Sequence, residues 1–171
     1  VTYPASFMLI GAMNPCPCGH FGDPFKECRC SLSDIIRYRK KLSGPLMDRV
    51  DIFVDVPRVD YDKLTGEAHG ESSAAVRARV AAAAVIQEQR LAQSRAICNA
   101  DMTARDVAEY CHCTSRGHEV LHTAMRRLHL SARGYHRVLK VSRTIADLDG
   151  ADLIDTVHVA EALQYRKREG D

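Results

Sequence analysis

The sequence has little net charge, few aromatic residues and no long apolar run, and it lacks a glycine-rich phosphate loop altogether. With 24 Lys and Arg against 22 Asp and Glu the formal charge is +2, which excludes a whole-domain field for gathering polyanions and leaves only local patches to do so. Aromatic residues make up 6% of the chain, a thin supply for stacking on single-stranded bases. No run approaches the roughly 18 apolar residues needed to cross a bilayer. The first residues also lack the basic start, apolar stretch and cleavage site of a signal peptide. The expected setting is the cytoplasm, with no membrane partner. Nowhere does G-x-x-x-x-G-K-[ST] occur, so nothing in this sequence cradles the phosphates of a nucleotide.

What is present describes a globular chain. Its 171 residues are 46% hydrophobic and 27% charged, which suits one domain or two small ones. Seven cysteines in a cytoplasmic setting stay reduced, and an odd count cannot close a complete disulfide framework. Metal binding or plain burial remains. The stretch GAMNPCPCGHFGDPFKECRC, 11–30, concentrates four of them as C-x-C, nine residues, then C-x-C. Four thiolates from two such knuckles, Cys16, Cys18, Cys28 and Cys30, can close a tetrahedral Zn²⁺ shell at about 2.3 Å per bond, with glycines allowing the tight turns. His20 could replace one thiol, and a cysteine-rich loop without metal is the rival reading. A closed shell would make the zinc structural, since it leaves no position for a substrate. Cys98, Cys111 and Cys113 have no comparable pairing and are expected to be buried.

Two continuous apolar runs, FMLIGAMNP at 7–15 and VDIFVDV at 50–56, have the character of buried strands. Between them SLSDIIRYRKKLSG offers Ser31 or Ser33 as a helix cap and Gly44 as a stop. Strands without alternation joined by a helix suggest part of a parallel sheet. Two strands alone make no stable sheet, so further strands are expected upstream. After residue 57 only helical periods follow. A polar, glycine-containing segment at 60–72 reads as a linker. Then come an alanine-rich helix at 72–94 and shorter helices: Thr103 caps the first, Ser115 opens the second, and Ser131 and Asp155 cap the last two. On the helix at 131–149, Tyr135, Val138, Leu139, Ile145 and Leu148 share one face. The expected fold is α+β but mostly α. Residues 1–59 form the C-terminal part of an α/β core with two strands and a helix, and 73–171 form a helical bundle.

LIGAMNPCPCG, LSGPLMDRVDI and LSARGYHRVLKVSRTIADLDG together resemble the magnesium-chelatase-like branch of the AAA+ ATPases, and the likeness covers most of the chain. It implies that the bundle is the lid of an ATPase core. It further implies that Asn14 is the sensor 1 residue, Arg49 the arginine finger and Arg133 the sensor 2 arginine. ATP and Mg²⁺ would be the cofactors of the complete protein and a homo-hexamer its assembly. DNA would be its partner, as in hexameric helicases that drive branch migration on recombining DNA.

The chemistry of these positions can be read without the family. Asn14 follows an apolar strand, where an amide can orient a water or a γ-phosphate; it could equally cap the Pro15 turn. Arg49 lies between acidic neighbours and could make an ordinary surface salt bridge. Arg133 occupies the first turn of a helix, where a cation opposes the macrodipole, so either a bound anion or a solvated face accounts for it. Arg137 and Arg143 follow as further lid candidates for the nucleotide. Basic stretches at 37–41, 126–127 and 165–168 permit nucleic-acid binding without demonstrating it. Lacking the phosphate loop, this chain alone is expected not to hydrolyse ATP. Two other functions stay open: a chelatase-type motor that drives metal insertion into a porphyrin, and a zinc-stapled binding module with no motor role.

Overall fold

The computed structural model describes residues 1, 7–57, 59 and 70–166, so most of the linker at 60–72 lies outside the described residues. The chain divides into two compact units, Val1–Met47 and Asp48–Asp171. The dividing point falls a dozen residues before the one expected from composition.

The first unit holds the cysteine loop and two helices, α1 (Leu32–Arg39) and α2 (Gly44–Met47). Ser31 starts α1 by accepting a hydrogen bond from the Asp34 amide at 3.2 Å. Asp34 in the first turn and Arg37 with Arg39 in the last suit the helix dipole. Gly44 opens α2 rather than ending α1, which closes at Lys40.

The expected strands are not formed. Neither 7–15 nor 50–56 joins a ladder, and among the described residues the sole β pairing is an isolated bridge between Cys113 and Ile154. A strand exists through its neighbours: its N–H and C=O groups need a ladder partner, and an all-apolar run needs cover on both faces. Here Phe7, Met8, Leu9 and Ile10 are exposed, as are Ile52, Val54 and Val56. The fold that is observed is helical.

The second unit is a bundle of α3 (Ser73–Leu91), α4 (Ala104–Tyr110), α5 (Ser115–Arg127), α6 (Ala132–Leu148) and α7 (Thr156–Gln164), with a 3₁₀ turn at Asn99–Asp101. Side-chain caps set most of the starts. Thr103 and Asp106 form a reciprocal capping box on α4, Ser131 caps α6, and Asp155 with His158 boxes α7. The cap of α5 is Thr114, one residue before the serine expected from the sequence. Its hydroxyl donates to Asp155 at 2.6 Å while accepting from the Gly117 amide at 3.0 Å, so one side chain ties two helix starts together. Gly117 is needed there, because a β-carbon would lie 2.8 Å from the Ile154 carbonyl oxygen.

At the centre is α6, packed on α3, α4 and α7. Val138 and Leu139 are buried as expected, Tyr135 and Ile145 lie against the core, and Leu148 is exposed. The same helix also buries Ser142, Arg143 and Asp147. Arg143, only 1% exposed, donates to Asp147 through Nε at 3.0 Å and to the Asp152 and Ala151 carbonyls. Arg90 pairs with the same carboxylate, and Asn99 donates to it at 2.8 Å. Desolvation lowers the Arg143 pKa, while the Asp147 charge opposes that shift. The group expected as a nucleotide ligand is therefore spent on holding α6 to the turn that follows it. Removing one partner of a buried pair leaves the other uncompensated, so Arg143→Ala should cost about 3–5 kcal/mol in urea unfolding. A loss under about 1 kcal/mol would show that the network is not a structural tie.

Candidate functional site

The candidate site is a thiol cluster built by two knuckles. Cys16 and Cys18 flank the first, where the Gly19 amide donates to the Cys16 carbonyl at 3.0 Å. Gly19 adopts φ +82°, a conformation that a side chain would strain. Cys28 and Cys30 form the second knuckle, leading directly into the Ser31 cap of α1. Between them, Asp23 accepts from the Phe25 and Lys26 amides at 2.9 and 3.3 Å, fixing the intervening turn.

The four sulfurs converge. Sγ–Sγ distances are 3.4 Å for Cys16–Cys18, 3.7 Å for Cys16–Cys28 and 3.6 Å for Cys18–Cys28, and all four atoms lie within 4.8 Å of one another. A tetrahedron with bonds of about 2.3 Å has edges of about 3.8 Å. The three separations among Cys16, Cys18 and Cys28 are already close to that length, and Cys16 is fully buried. Among the described residues it is the sole group of three or more potential ligands close enough to hold one ion.

Backbone hydrogen bonds prepare these sulfurs for a cation. Those from His20 and Arg29 lower the Cys18 pKa to about 6. Burial and the Cys18 neighbour push Cys16 up, but the backbone of Phe21 and the contact with Cys28 outweigh them and hold it below the ordinary thiol value. The Cys30 backbone lowers Cys28, yet burial and the adjacent sulfurs raise it overall. Cys30 is pushed up to about 12, first by desolvation. Without a cation the cluster keeps some of its protons; a divalent soft metal would displace them. His20 lies 3.7 Å from Asp23 and outside the sulfur group. The residues present therefore fit Zn²⁺ through four thiolates, and such an ion would staple the loop without taking part in chemistry.

The other expected site residues are distributed over both units. Asn14 is exposed in the first unit, with its amide carbon and nitrogen beside Gly19, close to where a β-carbon there would stand. Arg49 lies exposed in a turn of the second unit, and Arg133 is exposed in the first turn of α6. One turn further on, Arg137 pairs with Asp51 at 3.4 Å. Arg166 donates to the Val50 carbonyl at 3.3 Å, and the Phe53 amide donates to the Tyr165 carbonyl at 2.8 Å. The segment after Arg49 is thus fastened to α6 and to the end of α7. Sequence reasoning missed this fastening, although Asp51, two residues from Arg49, was a signal available to it. Of the remaining cysteines, Cys111 is buried and Cys98 and Cys113 are partly so.

The sequence that carries this cysteine-clustered loop and helical bundle has relatives among known proteins. The family profile described as magnesium chelatase, subunit ChlI C-terminal, matches residues 70–166, and that described as magnesium chelatase, subunit ChlI, matches residues 1–64. The chain belongs to this magnesium-chelatase family. It is 42% identical over 168 residues to the competence protein ComM of Haemophilus influenzae, a match that takes in 97% of this chain and 32% of that protein. It is also 40% identical over 167 residues to the protein YifB of Salmonella typhimurium, again with 97% and 32% coverage. A Mycobacterium tuberculosis protein, Rv2897c, is 39% identical over 165 residues, covering 96% of this chain and 32% of its own length. The chain spans about a third of the length of these relatives. No helix among the described residues is long and apolar enough to cross a membrane.

Proposed function

We propose that this chain is the sensor and lid portion of a magnesium-chelatase-like AAA+ ATPase that works as a DNA motor in recombination. In this reading Asn14 is sensor 1, Arg49 the arginine finger and Arg133 the sensor 2 arginine, with Arg137 beside it. The 7–15 and 50–56 runs are strands of the α/β core, completed in the hexameric, cytoplasmic protein. The observation that carries the reading is the fastening of the Arg49 segment to α6 and α7 through Arg137–Asp51 and Arg166–Val50. It gives a helix bearing an exposed phosphate-binding candidate a mechanical hold on the segment bearing the finger. The choice of DNA rests on the likeness to a protein named for competence.

ATP and Mg²⁺ are implied by the family. Arg133 and Arg49, both exposed in the second unit, are each suited to the γ-phosphate of a nucleotide, as is the exposed Asn14 amide in the first unit. The sequence holds no glycine loop or hydroxyl for the rest of it. When bound, the nucleotide supplies a phosphoanhydride whose cleavage powers motion. What these residues can do is report and neutralise its terminal charge. The four cysteines hold a structural Zn²⁺.

The test is ATP hydrolysis by the natural protein with no DNA, with single-stranded DNA and with a branched junction. Stimulation by the junction is expected. Hydrolysis indifferent to DNA would put the porphyrin-metallating motor ahead, and no hydrolysis would favour a zinc-stapled binding module.

A further inference from the structure

We infer that the cysteine-stapled loop with the end of α1 is a contact surface for single-stranded DNA, in which bases stack on Phe25 and Phe21 and phosphates meet Lys26, Arg29, Lys40 and Lys41. The inference rests on the DNA reading above and assigns the part of the chain that touches the strand. Residues 1–47 carry six Lys and Arg against three Asp and Glu, and a zinc on four thiolates would still leave the unit net positive. Two of the three acidic groups are already engaged, and the third, Glu27, is exposed next to Lys26 in the sequence. Asp34 pairs with Arg37, and Asp23 accepts the Phe25 and Lys26 amides while lying near His20. Among the described residues no ion pair takes Lys26, Arg29, Lys40 or Lys41, and all four are exposed. The positive charge is therefore local and available, in a chain whose overall charge is close to neutral.

The aromatic part is as specific. Phe25 is 74% exposed and Phe21 41%, in a protein with only four phenylalanines. Two such rings on one short loop present flat apolar faces that a ligand with flat apolar faces can cover. The Asp23 hydrogen bonds hold the backbone that presents Phe25. The guanidinium of Arg39 stands 5.3 Å from the Phe21 ring centre, so the basic end of α1 adjoins the aromatic loop. Rings interleaved with cations outside any ion pair are what a single strand recognises, since every base has a π-face and every step a phosphate. A purely acidic protein partner would use the cations but not the rings.

The natural protein, with its zinc content measured in every variant, is titrated against a fluorescein-labelled oligothymidine longer than about 16 nucleotides. One stacked base is worth about 1–3 kcal/mol, so Phe25→Ala should weaken binding roughly 5- to 150-fold. Phe25→Tyr should bind nearly as the wild type does. Lys40→Ala with Lys41→Ala should flatten the dependence of log K on log salt by about 1.4, at about 0.7 per phosphate. Undiminished binding by Phe25→Ala at full zinc content would overturn the inference, while leaving the DNA reading standing on contacts elsewhere. Polyglutamate competing as well as oligothymidine, with no dependence on the ring, would overturn it in favour of an acidic partner. Absence of any DNA binding would overturn it too, and the junction-stimulated ATPase would then decide the DNA reading separately.

Discussion

Serine at Cys16 and Cys28 together is expected to abolish bound zinc and unfold the loop of residues 11–30, a larger structural effect than any other pair of substitutions in the first unit should have. The reason lies in what that unit lacks. Within Val1–Met47 the buried apolar side chains are Cys16 and Ile35 alone among the described residues, far too little to offset the backbone entropy of ordering roughly thirty residues at about 1–2 kcal/mol each. Hydrogen bonds in the two knuckles fix local turns but add only about 1 kcal/mol apiece. A structural zinc, by contrast, contributes about 10–16 kcal/mol of apparent binding energy in small domains, and that energy is folding energy. The wild type should carry one zinc per chain by elemental analysis, and the double variant none. Trypsin should cut the variant after Lys26 much faster, while Cys98→Ser, outside the cluster, should behave as wild type on both counts. Unchanged zinc content in the double variant would eliminate the metal centre. A metal-free variant that melts and resists trypsin as before would show that the loop holds itself together by other means.

How much of the fold and the site was legible in the sequence depended on the range of the interaction involved. The thiol cluster was legible because its determinants are local: two C-x-C pairs and glycines that permit the turns. Helix starts were legible for the same reason, since Thr103, Ser131 and Asp155 satisfy amides three residues away. Thr114 was missed in favour of its neighbour Ser115 because both are competent caps. The choice between them is made by Asp155, forty-one residues distant, which accepts the Thr114 hydroxyl. Arg143 was misjudged for a similar reason. Its partner Asp147 is one turn away and visible, but its burial depends on Arg90 and Asn99, brought in by α3 and the 3₁₀ turn. The strands were the opposite case, an apolar pattern correctly noticed whose realisation needs ladder partners that the described residues do not provide. Asn14, Arg49 and Arg133 could be named only through resemblance, because a lone polar residue carries no spacing to interpret.

Replacing Arg49 with alanine in the natural protein is expected to lower kcat for ATP hydrolysis by about 10³-fold or more, the range over which arginine fingers act. The expectation follows from how the residue is held. Arg49 is exposed in a turn, but the two residues after it are anchored: the Val50 carbonyl takes a hydrogen bond from Arg166, and Asp51 pairs with Arg137 on α6. In the reading proposed above, a guanidinium on such a mount is presented to a nucleotide in a neighbouring subunit at little entropic cost, from a segment tied to α6 and α7. An arginine finger acts on charge that develops in the transition state, so in the proposed role the loss of Arg49 should fall on kcat and leave the KM for ATP nearly unchanged. Zinc content should also stay as it is, since the side chain lies outside the cluster. Lysine should rescue poorly, lacking the planar fork that spans two phosphate oxygens. Arg137→Ala, which removes one of the two ties and spares the finger, should slow hydrolysis less than Arg49→Ala does. A fall of less than about tenfold in kcat for Arg49→Ala would remove it from the catalytic machinery and return it to the solvated surface. In that event the Asp51–Arg137 pair would be a tie within the bundle and no longer a path between lid and finger.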